Sequence, residues 1–331
     1  MKLIIQIPCL NEEGTLPETL AALPRRVAGF DAVEWLVIDD GSTDSTAEVA
    51  RAHGVDHVVS FPANRGLADA FQAGIDAALK LDADVIVNTD ADNQYRADDI
   101  PTLVAPILAG DADVVIGDRG VADHPEFTPA KRVLQNLGSW VVRKASGTGV
   151  ADTTSGFRAY SRTAALGVNV TSRFTYTLET IIQAGHSGLV VTSVPIGINP
   201  AVRPSRLFRS SGHYVRRSAG TIVRQFVVHR PLAVFMPLAT IFGLVALILL
   251  VRFGVLFLVT EGPTGHVQSL VVGTVSGLLA VQFVVLGMIA DLLRTNRILL
   301  ERSLRRIRAI ELSTGVPPDG LDDGRGEDDP R

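Results

Sequence analysis

The stretch 85–95, VIVNTDADNQY, opens on an apolar run and closes on Asp90, Asp92 and Gln94. Val85 to Val87 is short, β-branched and preceded by a helix-like pattern from Gly66 to Leu81. It therefore reads as a buried strand, with the carboxylates leaving at its carboxyl end. Ligands of open, mostly parallel sheets sit beyond the carboxyl ends of the strands. Side chains alternate along a strand, so Asp90 and Asp92 are expected on one side, with Gln94 next in line if the backbone stays extended. Two carboxylates and an amide oxygen suit Mg²⁺ or Mn²⁺, which take oxygen ligands and complete their shells with water and phosphate.

The tripeptide DAD recurs, and position separates the copies. Asp82-Ala83-Asp84 precedes the strand at Val85, and Asp111-Ala112-Asp113 precedes the run Val114 to Ile116. Both lie at amino ends, away from any expected site, and read as solvated structural residues. Working outward, Leu3 to Ile7 and Trp35 to Ile38 are further strand runs, and Ile100 to Leu108 has a helical pattern. The alternation predicts an α/β fold with a Rossmann-like, mostly parallel sheet covered on both faces. The first strand ends in IPCLNEEGTL, where Asn11 and Glu12 open a helix. The second ends in VIDDGSTDST, with Asp39 and Asp40 at the carboxyl edge and Ser45 and Glu48 spaced as a capping box. Carboxylates so placed can accept hydrogen bonds from a base N–H or ribose hydroxyls. VIGDRG brings Arg119 to the same edge, where a cation can bind phosphate.

The 331-residue chain is 47% hydrophobic, too apolar to be wholly soluble. Its acidic surplus lies in residues 1–202, which carry 25 acidic and 15 basic residues, whereas 203–311 carry 4 acidic and 14 basic. Leu232 to Val251 and Gly262 to Ala290 hold no charged residue, and each is long enough to cross the ~30 Å hydrocarbon layer as a helix. Arginines precede the first span and follow the second, while the connecting EGPTGHVQS has none, so both termini are expected on the cytoplasmic side. The first apolar run is cut by Pro8, Glu12 and Glu13, too short for a signal peptide.

The expected layout is a cytoplasmic catalytic domain over 1–204, amphipathic interfacial helices over 205–230, a two-helix transmembrane region over 231–293, a basic cytoplasmic helix over 294–311 and a disordered acidic tail over 312–331. The predicted location is the cell membrane, with two spans and contact with membrane lipid. A single cysteine, Cys9, excludes an intramolecular disulfide and a cysteine zinc cluster. There is no Walker motif, and Gly147-Thr148-Gly149 lacks a preceding strand, so neither a P-loop nor a dinucleotide site is expected. No nucleic-acid partner is expected, and homo-oligomer formation is left open.

Taken together, IPCLNEE, VIDDGSTDST, ANRGLADAF, NTDADNQY, VIGDR and DTTSGFRAYSR resemble the GT-A glycosyltransferases of family 2. The closer resemblance is to polyprenyl-phosphate glycosyltransferases of the dolichol-phosphate mannose synthase type. It covers about residues 3 to 207 by motif and the two spans by topology. It implies inverting transfer of a hexose from a UDP- or GDP-sugar to a polyprenyl phosphate, with Mg²⁺ or Mn²⁺. By motif position, Pro8, Asn11, Glu12, Asp39, Asp40 and Asp90 match donor-binding residues, and Asp90, Asp92 and Gln94 match the metal site. Arg119 and Arg132 match phosphate-holding residues, and Ser205-Arg206 resembles a juxtamembrane Ser-Lys pair that meets the acceptor. Asp152 and Arg158 fall in a D-x-x-S-G-F-R motif. Asp92, Arg119 and Asp152 are thus the implied catalytic set, with Asp152 a positioner or a base.

This sequence departs from many relatives in having Tyr95-Arg96-Ala97 in place of His-Pro-Pro, and Arg206 in place of lysine. The rival readings are a processive polysaccharide synthase, which usually carries a Q-x-x-R-W motif absent here, and a catalytically silent membrane scaffold.

Overall fold

In the computed structural model, which describes residues 1–120, 147–150, 152–170, 176–200, 227, 230–259 and 267–314, Lys2–Cys9 forms β1, an interior strand of the sheet. Its residues from Leu3 onward are all buried, as a near-continuous apolar strand covered on both faces requires. In chain order there follow α1 (Leu16–Ala22), β2 (Ala32–Asp39), α2 (Thr46–Ala52), β3 (His57–Ser60), α3 (Leu67–Lys80), β4 (Val85–Asn88), α4 (Ile100–Leu108) and β5 (Val114–Asp118). Beyond these come β6 (Arg158–Ser161), α5 (Arg162–Gly167), α6 (Thr177–His186), β7 (Val191–Pro195), α7 (Pro231–Val259) and α8 (Val267–Ser313).

The seven-stranded sheet has the order β3-β2-β1-β4-β6-β5-β7. Strand β6 runs antiparallel to its neighbours β4 and β5, and the other pairs are parallel. The expected mostly parallel sheet is present, and β6 has a consequence for the site. Because it runs backwards, its amino end lies at the edge where the parallel strands have their carboxyl ends.

The two structural DAD copies serve the opposite edge. Asp84 Oδ2 accepts the Lys2 N–H at 2.7 Å, and Asp113 Oδ2 accepts the Val190 N–H at 3.0 Å. At the site edge, Gly41 turns the chain out of β2 with φ +68, and a Cβ there would lie 2.4 Å from the Ala63 carbonyl carbon. Only glycine meets both demands.

The chain divides into two compact units. The first contains the sheet together with α8 from Leu304 onward. In that unit Arg308 Nη2 pairs with Asp76 Oδ1 of α3 at 3.3 Å, and Glu311 Oε1 with Lys80 Nζ at 2.8 Å. The stretch 294–311, expected as a basic helix, is helical and lies within the helix α8, Val267–Ser313.

The second unit is formed by α7 and the earlier part of α8, and both helices are long and apolar enough to cross a membrane. Its packing inverts that of a soluble core. Small residues, Ala239, Ala246, Gly273, Ser276 and Gly287, are buried, whereas Ile248 and Leu278 are 64% and 67% exposed. Close approach through small residues with large apolar side chains turned outward suits a lipid solvent. Arg132, Ser205, Arg206, most of the 205–230 stretch and the tail from 315 lie outside the described residues.

Candidate active site

The loops leaving β1 and β2 are laced together. The Asn11 N–H donates to Ser42 Oγ at 2.9 Å, and Asn11 Oδ1 accepts the Thr43 N–H at 2.8 Å. The Glu12 N–H donates to Thr46 Oγ1 at 2.8 Å, and the Glu13 carboxylate accepts the Ser45 N–H at 3.0 Å. Asn11 has φ 55, so it turns the chain instead of opening a helix, and α1 begins only at Leu16. The expected Ser45–Glu48 capping box does not form. With the Ser45 N–H held by Glu13, Asp44 Oδ1 accepts the Thr46 N–H at 3.1 Å and caps α2.

Asp39 is buried, with Oδ1 accepting the Ser42 N–H at 3.0 Å. Asp40 works inward, since its two oxygens accept the N–H groups of Arg65 and Gly66 at 2.7 and 2.9 Å and fix the start of α3. Burial pushes its carboxyl up, against those two hydrogen bonds. Pro8 is buried within β1 opposite Ile38, beyond the last β1–β4 pair at Gln6, where its missing N–H takes nothing from the β4 ladder.

Strand β4 stops at Asn88, before the carboxylates. The chain then turns through Ala91 and Asp92 to Asn93, which has φ 53, and Asp92 Oδ1 accepts the Gln94 N–H at 3.1 Å. The extended run expected through Gln94 is therefore broken, because the side chain of Asp92 supplies a local turn in place of a sheet partner. Turn geometry, not strand alternation, keeps Asp90 and Asp92 close enough to interact. Burial first, then the charges of Asp92 and Glu12, against the opposing charges of Arg119 and Arg158, together push the Asp90 carboxyl up to about 7. This is a surplus of negative charge that a divalent cation would offset. Among the described residues no three His, Cys, Asp or Glu side chains form a ready ligand cluster. Two carboxylates fit Mg²⁺ or Mn²⁺ sharing its shell with phosphate oxygens and water.

Arg119, just past β5, forks onto Asp152. Its Nε donates to Oδ2 at 2.6 Å and its Nη2 to Oδ1 at 3.1 Å, with a further bond to Thr154 Oγ1 at 2.8 Å. Burial pushes the Asp152 carboxyl up, but the hydrogen bonds and charge of Arg119, with the hydrogen bonds from Thr154, more than offset it and leave it lowered. Asp152 reaches the edge because it precedes the antiparallel β6.

The loop it belongs to is clamped by Arg158, which is fully buried at 0% exposure. Its Nε donates to Ser155 O at 2.7 Å, Nη1 to Thr177 O and Thr180 Oγ1 at 2.8 Å each, and Nη2 to Thr153 O at 3.0 Å. A planar fork of donors suits this, and an ammonium group does not. Arg158→Lys is expected to destabilise the protein by about 3 kcal/mol, because carbonyls satisfied by a charged donor are left buried. Denaturant unfolding in detergent checks this, and a wild-type midpoint would remove the clamp from the argument.

Sequence reasoning brought Asp39, Asp90, Asp92 and Arg119 to one edge. It missed Asn88, Tyr95, Gly156 and Tyr176, which lie directly beneath Asp90. Asn88 is an amide at the end of an apolar strand, and Tyr95 and Gly156 lie in stretches already singled out, but nothing local in the sequence joins them to Asp90.

A strand-ordered α/β sheet with carboxylates and a forked arginine at one edge has the architecture of a GT-A glycosyltransferase. The glucosyl-3-phosphoglycerate synthase of Mycobacterium tuberculosis, solved with Mn²⁺, UDP-glucose and phosphoglyceric acid, shares this fold with a TM-score of 0.54 at 22% identity, over 68% of this chain and 79% of that one. The chain belongs to glycosyl transferase family 2, whose model matches residues 4–166, and it is a glycosyltransferase. An uncharacterised glycosyltransferase of Mycobacterium tuberculosis is 36% identical over 197 residues, 59% of this chain and 84% of its own length. The undecaprenyl-phosphate mannosyltransferase of Micrococcus luteus is 32% identical over 166 residues, 48% of this chain and 66% of its own. The polyprenol monophosphomannose synthase of Mycolicibacterium smegmatis is 29% identical over 204 residues, 58% of this chain and 76% of its own.

Proposed function

We propose that the protein transfers one hexose, with inversion, from a UDP- or GDP-sugar to a polyprenyl phosphate at the cytoplasmic membrane face. The observation that carries this reading is the joining, in one chain, of the acidic edge around Asp39, Asp90 and Asp92 to two apolar helices with lipid-type packing. The names of the Micrococcus and Mycolicibacterium relatives support the acceptor. Asp39 accepts hydrogen bonds from the donor base or ribose, with Pro8, Asn11, Glu12 and Asp40 shaping the loops around it. Asp90 and Asp92, with Gln94, hold Mg²⁺ or Mn²⁺. Such a cation, when bound, stabilises the charge of the departing nucleoside diphosphate.

The acceptor needs no general base, since the second pKa of a phosphate monoester is ~6 and much of it is already dianionic at neutral pH. Asp152, with both oxygens on Arg119, therefore acts as a positioner. It aims the Arg119 guanidinium at the acceptor phosphate, and the charge of that guanidinium relieves repulsion from the donor. Arg132, Ser205 and Arg206 complete this phosphate site in the proposal. The arginine-rich flanks of the apolar helices keep both termini cytoplasmic.

The test is purified full-length protein in detergent, incubated with each of a panel of labelled UDP- and GDP-hexoses, Mg²⁺ or Mn²⁺ and a polyprenyl phosphate. One donor is expected to give a labelled, chloroform-extractable lipid that disappears with EDTA. If none does, the acceptor assignment is wrong.

A further inference from the structure

Beneath Asp90 lies a buried hydrogen-bond chain that no step of the proposed reaction uses. Gln6 Nε2 donates to Asn88 Oδ1 at 2.8 Å, and Asn88 Nδ2 donates to Gly156 O at 2.8 Å and to the Tyr176 hydroxyl at 3.0 Å. The Gly156 N–H in turn donates to the Tyr95 hydroxyl at 2.9 Å. Each tyrosine is held by a stacked ring, Tyr95 on Phe157 with centroids 5.1 Å apart and Tyr176 on Phe71 at 3.9 Å. Both polar groups of the Gly156 peptide backbone are therefore pinned to rigid partners.

Gly156 is absent from the left-handed glycines, so backbone conformation does not demand glycine there. Space does. A Cβ on Gly156 would lie 3.1 and 3.2 Å from the two Asp90 carboxylate oxygens and 2.9 Å from the Tyr176 hydroxyl.

We propose that Gly156 is a positioning residue for Asp90: its bare Cα, pinned by Asn88 and Tyr95, sets how deep the carboxylate sits and hence how well it holds a divalent cation with the donor diphosphate. This rests on the reading of Asp90 as a cation ligand. The loop 152–158 then serves the site at two points, through Asp152 to Arg119 and through Gly156 to Asp90. Groups that orient a ligand side chain are worth roughly 10- to 100-fold in metal affinity.

Mn²⁺ binding to the full-length protein in detergent with UDP or GDP, read as free Mn²⁺ by electron paramagnetic resonance, tests this without turnover. Gly156→Ala is expected to weaken Mn²⁺ binding about tenfold. The double variant Gly156→Ala, Tyr176→Phe removes the hydroxyl contact and keeps the Asp90 contact, so it should bind Mn²⁺ about tenfold more weakly than Tyr176→Phe alone. Equal affinity in those two variants, or wild-type affinity in Gly156→Ala, overturns the proposal. Asp90→Ala separates the two levels. If it binds Mn²⁺ like wild type, the cation reading itself fails, whereas weak binding there with wild-type binding in Gly156→Ala removes only the role of the glycine.

Discussion

Asp92→Ala is expected to lower turnover by roughly 10²–10³ while costing only about 1 kcal/mol of stability. The two effects separate because of where the residue stands. Asp92 is partly exposed on a turn, and the hydrogen bond it accepts from the Gln94 N–H at 3.1 Å is local. Its proposed work is electrostatic, in a pair whose mutual repulsion helps push Asp90 up to about 7.

The structure supplies two controls with the same spelling. Asp84→Ala and Asp113→Ala remove acceptors for the N–H groups of Lys2 and Val190 at the far edge of the sheet. Each should lose about 1 kcal/mol of stability and keep most of its turnover. Initial rates of nucleoside diphosphate release, paired with melting curves in detergent, decide the matter. A loss in Asp84→Ala equal to that in Asp92→Ala would mean that position on the sheet is not what makes a DAD functional.

Arg119→Ala should be the more damaging change overall. It leaves Asp152, whose side chain is 1% exposed, without its cation, and breaking such a pair costs about 3–5 kcal/mol. Turnover should fall by roughly 10²–10³ as well, from loss of the phosphate-directed charge.

Asp152→Asn tests the proposed positioning role against that of a general base. A positioner should raise KM for polyprenyl phosphate, because Arg119 is no longer held in its fork, whereas loss of a base should lower kcat with KM unchanged. The pair also has a pH signature. The Asp152 carboxyl is lowered in the folded protein, so its contribution to stability is fully present above the unfolded value of about 3.9 and is lost as pH falls through the folded value below it. Melting curves of wild type and Asp152→Asn should therefore converge in strong acid and diverge toward neutrality.

Much of this arrangement was legible before any coordinates. The runs at Leu3, Trp35, Val85 and Val114 are strands because they are short, apolar and buried on both faces, and each extends its predicted core by a residue or more. Strands β3, β6 and β7 escaped notice. HVVS, RAYS and VTSVP are too short and too polar to show a pattern, and they are strands because neighbouring strands complete their hydrogen bonds. Strand β6 even begins with a fully buried arginine, which hydropathy alone would assign to the surface.

Local pattern was sufficient for the carboxyl-edge placement of Asp39, Asp90 and Arg119, the structural role of the other two DAD copies and the two apolar helices. These depend on the order of elements along the chain and on side chains close in sequence. The turn that replaced the extended run at Gln94, the fork of Arg119 on Asp152 and the seating of Asp90 against Gly156 required the tertiary structure. Asn88 and Gly156 are 68 residues apart, and they meet only because β6 enters the sheet antiparallel beside β4. No one-dimensional period records which strands become neighbours, since that is settled by the packing of all the layers at once.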